Sequence, residues 1–265
     1  MSPHRRVLSH GILDRSRMLR RALIAAVFIV VASCGSNSAP PSSGPSPAVP
    51  PQGGGILFIG NSLTTTNDLP AMIEQLARES GGTPIVTRTV AEGGFSLEDH
   101  WNRGDAQRVI AQGGWSVVVL QQGPSALPES QVNLREYTMR FDTEIKRAGA
   151  RPALYMVWPE SERAAVFDDV AASYTHAAEA VNGLLYPVGE AWQIAWRRDA
   201  RLPLYGPDRF HPSPAGTYLA ALVMYQQISG RQVIGLPSPL ASIDQATARV
   251  LQESASEANA RFARP

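Results

Sequence analysis

The sequence lacks the features that define several common classes of protein. It has one cysteine, Cys34, so no disulfide can form within the chain. No pair of histidines has the spacing of a zinc site, and Asp208 with His211 has no third ligand nearby in the sequence. The first apolar run is followed by Gly-Asn-Ser-Leu, which is not a phosphate-binding loop, and no Gly-x-Ser-x-Gly elbow is present. We therefore expect no metal and no nucleotide cofactor.

A long hydrophobic run is also missing, although a short one lies near the start of the chain. Residues 22–32 are apolar and follow two arginines. A membrane-spanning helix needs about 20 such residues, so this arrangement predicts a secretory signal. The small residues before Cys34 resemble the lipobox of bacterial lipoproteins, whose cysteine is lipidated and becomes the mature first residue. Residues 1–34 would then be a signal peptide, and a lipid on Cys34 would anchor the protein to a membrane.

Alternatives remain open at this end of the chain. Cys34 could instead lie buried in a signal-anchor helix, and translation could start at Met18 rather than Met1. The resemblance implies export across the cytoplasmic membrane of a bacterium and anchoring in the cell envelope. Because Gly35 is not the aspartate of a retention signal, it favours the outer membrane, with the domain facing the periplasm.

Composition divides the rest of the chain into a tether and one domain. Residues 35–54 are rich in Pro, Ser and Gly and predict an extended tether. Residues 55–265 are enough for a single domain with a sizeable core. Beyond Cys34 the chain carries 18 Lys and Arg against 22 Asp and Glu, a net charge of −4. This mildly acidic balance gives no electrostatic footprint for nucleic acid.

Apolar β-rich runs alternate with helical patterns in this domain, which predicts an α/β fold with a five-stranded parallel sheet covered on both faces. In such a sheet, ligands bind at the carboxyl ends of the strands, so functional residues should follow strands. The predicted strands are 56–59, 85–90, 116–120, 153–158 and 184–188. The predicted helices are 69–79 and segments within 130–150, 161–183 and 213–230, with a final amphipathic segment, 243–262, on the outside of the sheet.

Ser62 follows the first predicted strand directly, after Gly60 and Asn61, which we expect to form a tight turn. At this position, near a helix start, free backbone N–H groups favour a developing oxyanion. A serine is also a common helix cap. Ser62 is therefore either a cap or a nucleophile.

The Asp208-x-x-His211 pair could activate such a serine. A serine hydroxyl needs a base to remove its proton, and a carboxylate fixes the tautomer of that base. The alternative is a structural pair that caps the helix beginning at Ser213. His100 and His176 do not follow strands, and we expect them to be packing or surface residues.

Two further loops could supply hydrogen-bond donors to an oxyanion. Gly93 and Gly94 follow the second predicted strand and leave backbone N–H groups uncovered. Gln122 follows the third strand and could present its side-chain amide. The alternatives are an ordinary glycine loop and a polar strand end.

The order Ser, Gly, Gln and Asp-x-x-His across residues 55–265 resembles the SGNH hydrolase superfamily, also called the GDSL esterases and lipases. The resemblance implies a flavodoxin-like three-layer sandwich and a serine esterase. Carried over by position, Ser62 would be the nucleophile, His211 the base, Asp208 its orienting carboxylate, and the oxyanion donors would be the amides of Ser62 and Gly94 and the side chain of Gln122.

Two departures from the family pattern bear on the substrate. Asn61 replaces the aspartate of the GDSL motif, which lies outside the chemistry. Gln122 stands where most members have asparagine, and a similar Gln-Gly-x-Ser occurs in branches that resemble sialate O-acetylesterases and acetylxylan esterases. The neighbouring Gln121 is an alternative third donor. Trp158 could line an acyl or sugar site or belong to the core.

The favoured function is hydrolysis of esters, O-acetyl groups above all, on a small-molecule or glycan substrate. The enzymatic alternative is a thioesterase or a lysophospholipase-like lipid esterase on the same residues. The non-enzymatic alternative is an envelope lipoprotein that binds glycan. The presence of Ser62, Asp208 and His211 argues against the last, because binding needs no triad.

Overall fold

The structure is a computed structural model and describes residues 54–262. These residues form a five-stranded, all-parallel sheet with helices around it. The strand order is β2-β1-β3-β4-β5, the flavodoxin-like order. The predicted fold class is confirmed. The predicted signal peptide, the lipidation site Cys34 and most of the tether lie outside the described residues and remain predictions. The strands are β1 Gly55–Gly60, β2 Thr87–Ala91, β3 Trp115–Leu120, β4 Arg151–Tyr155 and β5 Leu184–Tyr186.

Helices connect the strands and cover both faces of the sheet. Two 3₁₀ segments, Thr66–Asp68 and Ser161–Val166, each lead directly into an α-helix. The helices are α1 Ser62–Thr65, α2 Leu69–Glu79, α3 Leu97–Arg103, α4 Asp105–Ile110, α5 Pro128–Arg147, α6 Phe167–Ala180, α7 Val188–Arg198, α8 Pro214–Ser229 and α9 Gln245–Phe262. Within residues 54–262, no helix combines the length and the apolar character needed to cross a membrane.

The core lies between the central strands and the two helical layers. The inner strands β1, β3 and β4 are almost entirely buried, which explains why they appear in the sequence as continuous apolar runs. The edge strand β2 has no buried residue and is mostly polar. Helices α2, α7, α8 and α9 pack against one another, and so do α3, α4, α5 and α6. The final segment, expected on the outside of the sheet, packs against α7 and α8.

Helix α7 escaped the sequence-based prediction, as did the short helix α4. The predicted strand 184–188 ends at Tyr186, and α7 begins at Val188. Its buried residues Val188, Ala191, Trp192 and Ala195 have the i, i+3, i+4, i+7 spacing of a helix face. The Asp208–His211 loop therefore follows a helix, and not a strand as expected. The fourth strand also ends early, at Tyr155 instead of 158.

Candidate active site

Ser62 stands at the carboxyl end of β1 as the first residue of α1. The helix cap is Asn61, whose side-chain oxygen accepts a hydrogen bond from the Leu63 N–H at 3.0 Å. The hydroxyl of Ser62 is thus not needed for capping, and that alternative is wrong. The backbone N–H of Ser62 takes no hydrogen-bond partner within residues 54–262, as expected in the first turn of a helix.

Asp208 and His211 lie in a tight loop before α8. The loop closes through a bridge between Tyr205 and Pro212 and a hydrogen bond from the Gly206 N–H to the His211 carbonyl at 2.7 Å. Ser213 caps α8 by accepting from the Gly216 N–H at 3.1 Å. The Asp208–His211 pair is therefore not the helix cap, which leaves its side chains available for another role.

The three side chains form one continuous chain of hydrogen bonds. The Oγ of Ser62 lies 2.8 Å from His211 Nε2, and His211 Nδ1 lies 2.5 Å from Asp208 Oδ2. Because the Asp208 carboxylate can only accept, the neutral imidazole carries its proton on Nδ1, which leaves Nε2 to accept from the serine hydroxyl. This is the geometry of a Ser–His–Asp triad.

The Asp208 carboxylate is held ionised by its hydrogen bonds. The His211 side chain and the Phe210 N–H both donate to it, and they lower its pKa to about 2. The Asp208 side chain is nevertheless 51% exposed and that of His211 30% exposed. This end of the triad is therefore open to solvent.

Gly94 occupies a turn that its backbone angles require. The Phe95 N–H donates to the Glu92 carbonyl at 3.2 Å, and Gly94 lies within this turn with φ of +77°. A side chain at this φ would be strained, so glycine is favoured. The Gly94 N–H has no hydrogen-bond partner among the described residues. A hydrogen bond of 2.9 Å from Asn61 Nδ2 to the Phe95 carbonyl joins this turn to the Ser62 segment.

The structure separates the roles of Gln121 and Gln122. Both hydrogens of the Gln121 amide are used, one on Asn61 Oδ1 at 2.9 Å and one on the Gln122 carbonyl at 2.6 Å. In Gln122 the side-chain oxygen accepts from the Leu97 N–H, and Nε2 donates to Ser125 Oγ at 2.9 Å. An amide has two hydrogens, so one on Gln122 stays free among the described contacts. Gln122 is therefore better suited to be the third donor.

The remaining aromatic and histidine candidates are structural. Trp158 is fully buried, stacks on Trp192 and donates from Nε1 to the Phe210 carbonyl at 2.9 Å, so it belongs to the core and supports the His211 loop. His100 is buried with Nε2 2.7 Å from the Gly60 carbonyl. Burial lowers its pKa and favours the neutral form. His176 is exposed on α6. Both predictions for these histidines are confirmed.

Three residues around Ser62 do more than the sequence suggested. A Cβ at Gly60 would lie under 3.0 Å from Gln121 Oε1 and Thr64 Oγ1, so this glycine allows a close approach and its φ is not left-handed. Gln121 Oε1 accepts from both the Asn61 N–H and the Thr64 hydroxyl at 2.8 Å. The buried polar network of Gln121 and Asn61 thus holds the turn. In the sequence, the one indication of this network was a glutamine directly after a buried strand.

No group of three or more His, Cys, Asp or Glu side chains in the described part of the chain is arranged to hold a metal ion. The fold and the site together define the class as that of hydrolases with a flavodoxin-like sheet and a serine at the end of β1. Comparison with known proteins narrows this class to a family.

No family model and no curated protein sequence matches the chain. Among solved structures, a protein of Slackia heliotrinireducens assigned to the SGNH hydrolases is 31% identical, with a TM-score of 0.56 over 65% of this chain and 97% of that one. A DUF4886 family protein of Bacteroides uniformis is 19% identical, with a TM-score of 0.68 over 78% and 94%. An acetylxylan esterase of Geobacillus stearothermophilus is 20% identical, with a TM-score of 0.50 over 65% and 94%. The last two show the fold alone.

The chain belongs to the SGNH hydrolases, and its class is that of carboxylic-ester hydrolases. The family predicted from the order of the motifs is therefore confirmed.

Proposed function

We propose that the protein is a serine esterase that removes O-acetyl groups from carbohydrates, with Ser62 as nucleophile, His211 as base and Asp208 as the carboxylate that orients it. The observation that carries this proposal is the unbroken hydrogen-bond chain from Ser62 Oγ through the imidazole to Asp208. The serine and histidine that it joins are 149 residues apart in the sequence. A capping or packing role for these residues would not require such an alignment.

The first half of the reaction forms an acyl-enzyme. Ser62 Oγ attacks the ester carbonyl carbon while His211 Nε2 takes the hydroxyl proton, and Asp208 stabilises the resulting imidazolium through Nδ1–H. The carbonyl oxygen becomes negative in the tetrahedral intermediate. As the carbon–oxygen bond of the ester breaks, the imidazolium gives its proton to the leaving alcohol oxygen, here a sugar hydroxyl.

Water completes the second half. His211 removes a proton from a water molecule that attacks the acyl carbon, and a second tetrahedral intermediate forms. Its collapse breaks the bond to Ser62 Oγ, which regains the proton from the imidazolium, and acetic acid leaves. The triad returns to its starting state, so no cofactor is consumed.

Three donors would stabilise the negative oxygen in both halves: the N–H groups of Ser62 and Gly94 and the free amide hydrogen of Gln122. Each follows a strand at the carboxyl edge of the sheet, and hydrogen bonds from Asn61 to Phe95 and from Leu97 to Gln122 tie these segments together. Removing one such donor typically lowers kcat by about 10²–10³-fold.

The substrate class rests on two features. The Gln122-Gly123-Pro124-Ser125 stretch resembles that of the O-acetylesterase-like branches, and the structure uses Ser125 to hold the Gln122 amide. The triad is also open, with Asp208 half-exposed and Gly94 exposed. An open site suits an acetyl group attached to a large sugar chain. The acetylxylan esterase among the similar structures agrees with this class.

The test is hydrolysis of p-nitrophenyl acetate, butyrate and octanoate by the purified protein, followed by acetate release from acetylated xylan. We expect the acetate ester to have the highest kcat/KM, because the open site offers little enclosed surface for a long acyl chain. A preference for octanoate would instead support the lipid-esterase alternative. A folded protein inert toward all these esters would contradict the proposal.

A second prediction tests the third oxyanion donor. Gln122→Glu keeps an oxygen to accept from the Leu97 N–H but replaces the donor with a negative charge, so we expect kcat to fall by at least about 10²-fold. Circular dichroism and Tm should show a folded protein. The control is Ser125→Ala, which removes the acceptor of the Gln122 amide and the hydrogen bond from the Ser125 hydroxyl to the Gly123 carbonyl but keeps the Gln122 donor, so it should cost less. Unchanged kcat in Gln122→Glu would exclude Gln122 as a donor.

A further inference from the structure

The connection between α1 and α2 has an unusual backbone. Asn67 and Asp68 are consecutive residues other than glycine, and both adopt left-handed angles, with φ of 55° and 51°. Such angles are unfavourable for most residues and are tolerated best by glycine, asparagine and aspartate. Asp68 uses its conformation to cap α2, accepting from the Ala71 N–H at 3.2 Å. Asn67 has no capping role, so its conformation needs another explanation.

The side chain of Asn67 joins the serine segment to the histidine loop. Its Nδ2 donates one hydrogen bond to the Pro212 carbonyl and another to Thr217 Oγ1, both at 2.9 Å. Pro212 directly follows His211, and Thr217 is buried in the first turn of α8. One amide group therefore contacts both the loop that carries the base and the helix on which that loop rests.

Few hydrogen bonds link the two segments directly. Within residues 54–262, the hydrogen bonds between residues 61–68 and residues 205–217 are the Ser62–His211 contact itself and the two from Asn67. The serine lies on a turn after β1, whereas the histidine lies on a loop after α7. The packing of α2 against α8 brings the two segments together, and the hydrogen bonds of Asn67 then fix the position of the histidine loop relative to the serine turn.

We propose that Asn67 is a positioning residue that sets the distance between Ser62 Oγ and His211 Nε2. Asparagine meets both requirements of the position: it tolerates left-handed φ, and its amide supplies two hydrogens to two acceptors. Aspartate would place an acceptor against the Pro212 carbonyl, and glycine would supply no donor. Alignment matters because a displacement of about 1 Å between reacting groups can lower the rate about 10²-fold.

This inference rests on the proposed esterase function and is tested with the full-length protein and p-nitrophenyl acetate. We expect Asn67→Gly, which keeps the left-handed backbone but removes the amide, to lower kcat about 10- to 100-fold with KM within about twofold. Asn67→Asp should lower kcat similarly, since its shape is retained but its donors are lost. A fall in kcat with KM and Tm nearly unchanged would not be explained by a general loss of stability.

The matched control is Asp68→Ala at the neighbouring left-handed position. It removes the cap of α2 and puts alanine at a left-handed φ, so Tm should fall while kcat stays close to that of the unaltered protein. If Asn67→Gly keeps full kcat, or loses activity only in proportion to a fall in Tm as Asp68→Ala does, Asn67 has no positioning role. If the unaltered protein is itself inert toward every ester tested, the proposed function fails and this inference fails with it.

Discussion

Replacing Ser62 with alanine should lower the hydrolysis of p-nitrophenyl acetate by at least about 10⁴-fold, because no other hydroxyl among the described residues contacts the His211 imidazole. The fold should be unaffected. Within residues 54–262 the Ser62 hydroxyl bonds only to His211, while Asn61 caps α1 and Leu63 makes the core contact. We therefore expect Tm to change by no more than about 2 °C, since substitutions away from buried contacts are usually small in effect.

Thr65→Ala is the control for this measurement. Thr65 lies in the same short helix, is exposed, and its hydroxyl makes no hydrogen bond within residues 54–262. Removing this hydroxyl should leave kcat and KM unchanged. Activity of Ser62→Ala above about one percent of the unaltered protein would place the nucleophile elsewhere, given the loss of about 10⁶-fold that removal of a nucleophile can cause. Contamination by a host esterase would appear equally in both variants.

The sheet and several helix boundaries could be predicted because the sequence encodes them locally. Strands β1, β3 and β4 are buried on both faces and therefore appear as apolar runs. Helix α8 begins after the cap Ser213 with Pro214 and ends at Gly230, whose φ is +68°, as its sequence predicts. These signals depend on residues close together in the chain.

The contact between Ser62 and His211 cannot be predicted from residues close together in the sequence. Chemistry predicts that a serine nucleophile needs an imidazole and a carboxylate, and it identifies Asp208-x-x-His211 as a candidate. Bringing the serine and histidine together depends on the strand order and on α7, a helix the sequence analysis missed. The order of the motifs, through the family resemblance, supplied what local patterns could not.

Side-chain networks were the least predictable part of the site. Gln121 and Gln122 are adjacent and both are buried, and only the family resemblance favoured Gln122 as the donor. Their hydrogen-bond partners separate them, since Gln121 is fully used in holding Asn61 and Thr64. Asn67 left no signal either, because one of its acceptors is the backbone carbonyl of Pro212, which any residue could provide.

The second large effect is expected at Asp208. Asp208→Asn should lower kcat/KM by about 10²–10⁴-fold, because a neutral amide no longer stabilises the imidazolium and can favour the wrong tautomer. The side chain is half-exposed, so water can partly replace the carboxylate, which favours the lower part of this range. Tm at neutral pH should fall only modestly, because the charged contact with His211 is lost but the asparagine oxygen can still accept from the N–H groups of Phe210 and His211.

The Asp208→Ala variant separates the role of Asp208 in orienting the His211 imidazole from its role in holding the loop. It removes the same charge as Asp208→Asn but also leaves two backbone N–H groups without their acceptor, so Tm should fall in addition to kcat/KM. Equal Tm values for the two variants would show that Asp208 does not hold the loop. Activity of Asp208→Asn within tenfold of the unaltered protein would show that Ser62 and His211 act without it.

The pH dependence of the unaltered protein follows from the same carboxylate. The pKa of Asp208 is lowered from 3.8 to about 2, chiefly by its hydrogen bond to the His211 side chain. A lowered folded-state pKa means that the stabilisation by this contact is complete above about pH 4 and is lost as the pH falls toward 2. Asp208 therefore remains ionised across the neutral range, and a loss of activity between pH 5 and 7 must come from another group. In Asp208→Asn, the stability change between pH 4 and 2 should be smaller than in the unaltered protein, and thermal unfolding across this range measures it.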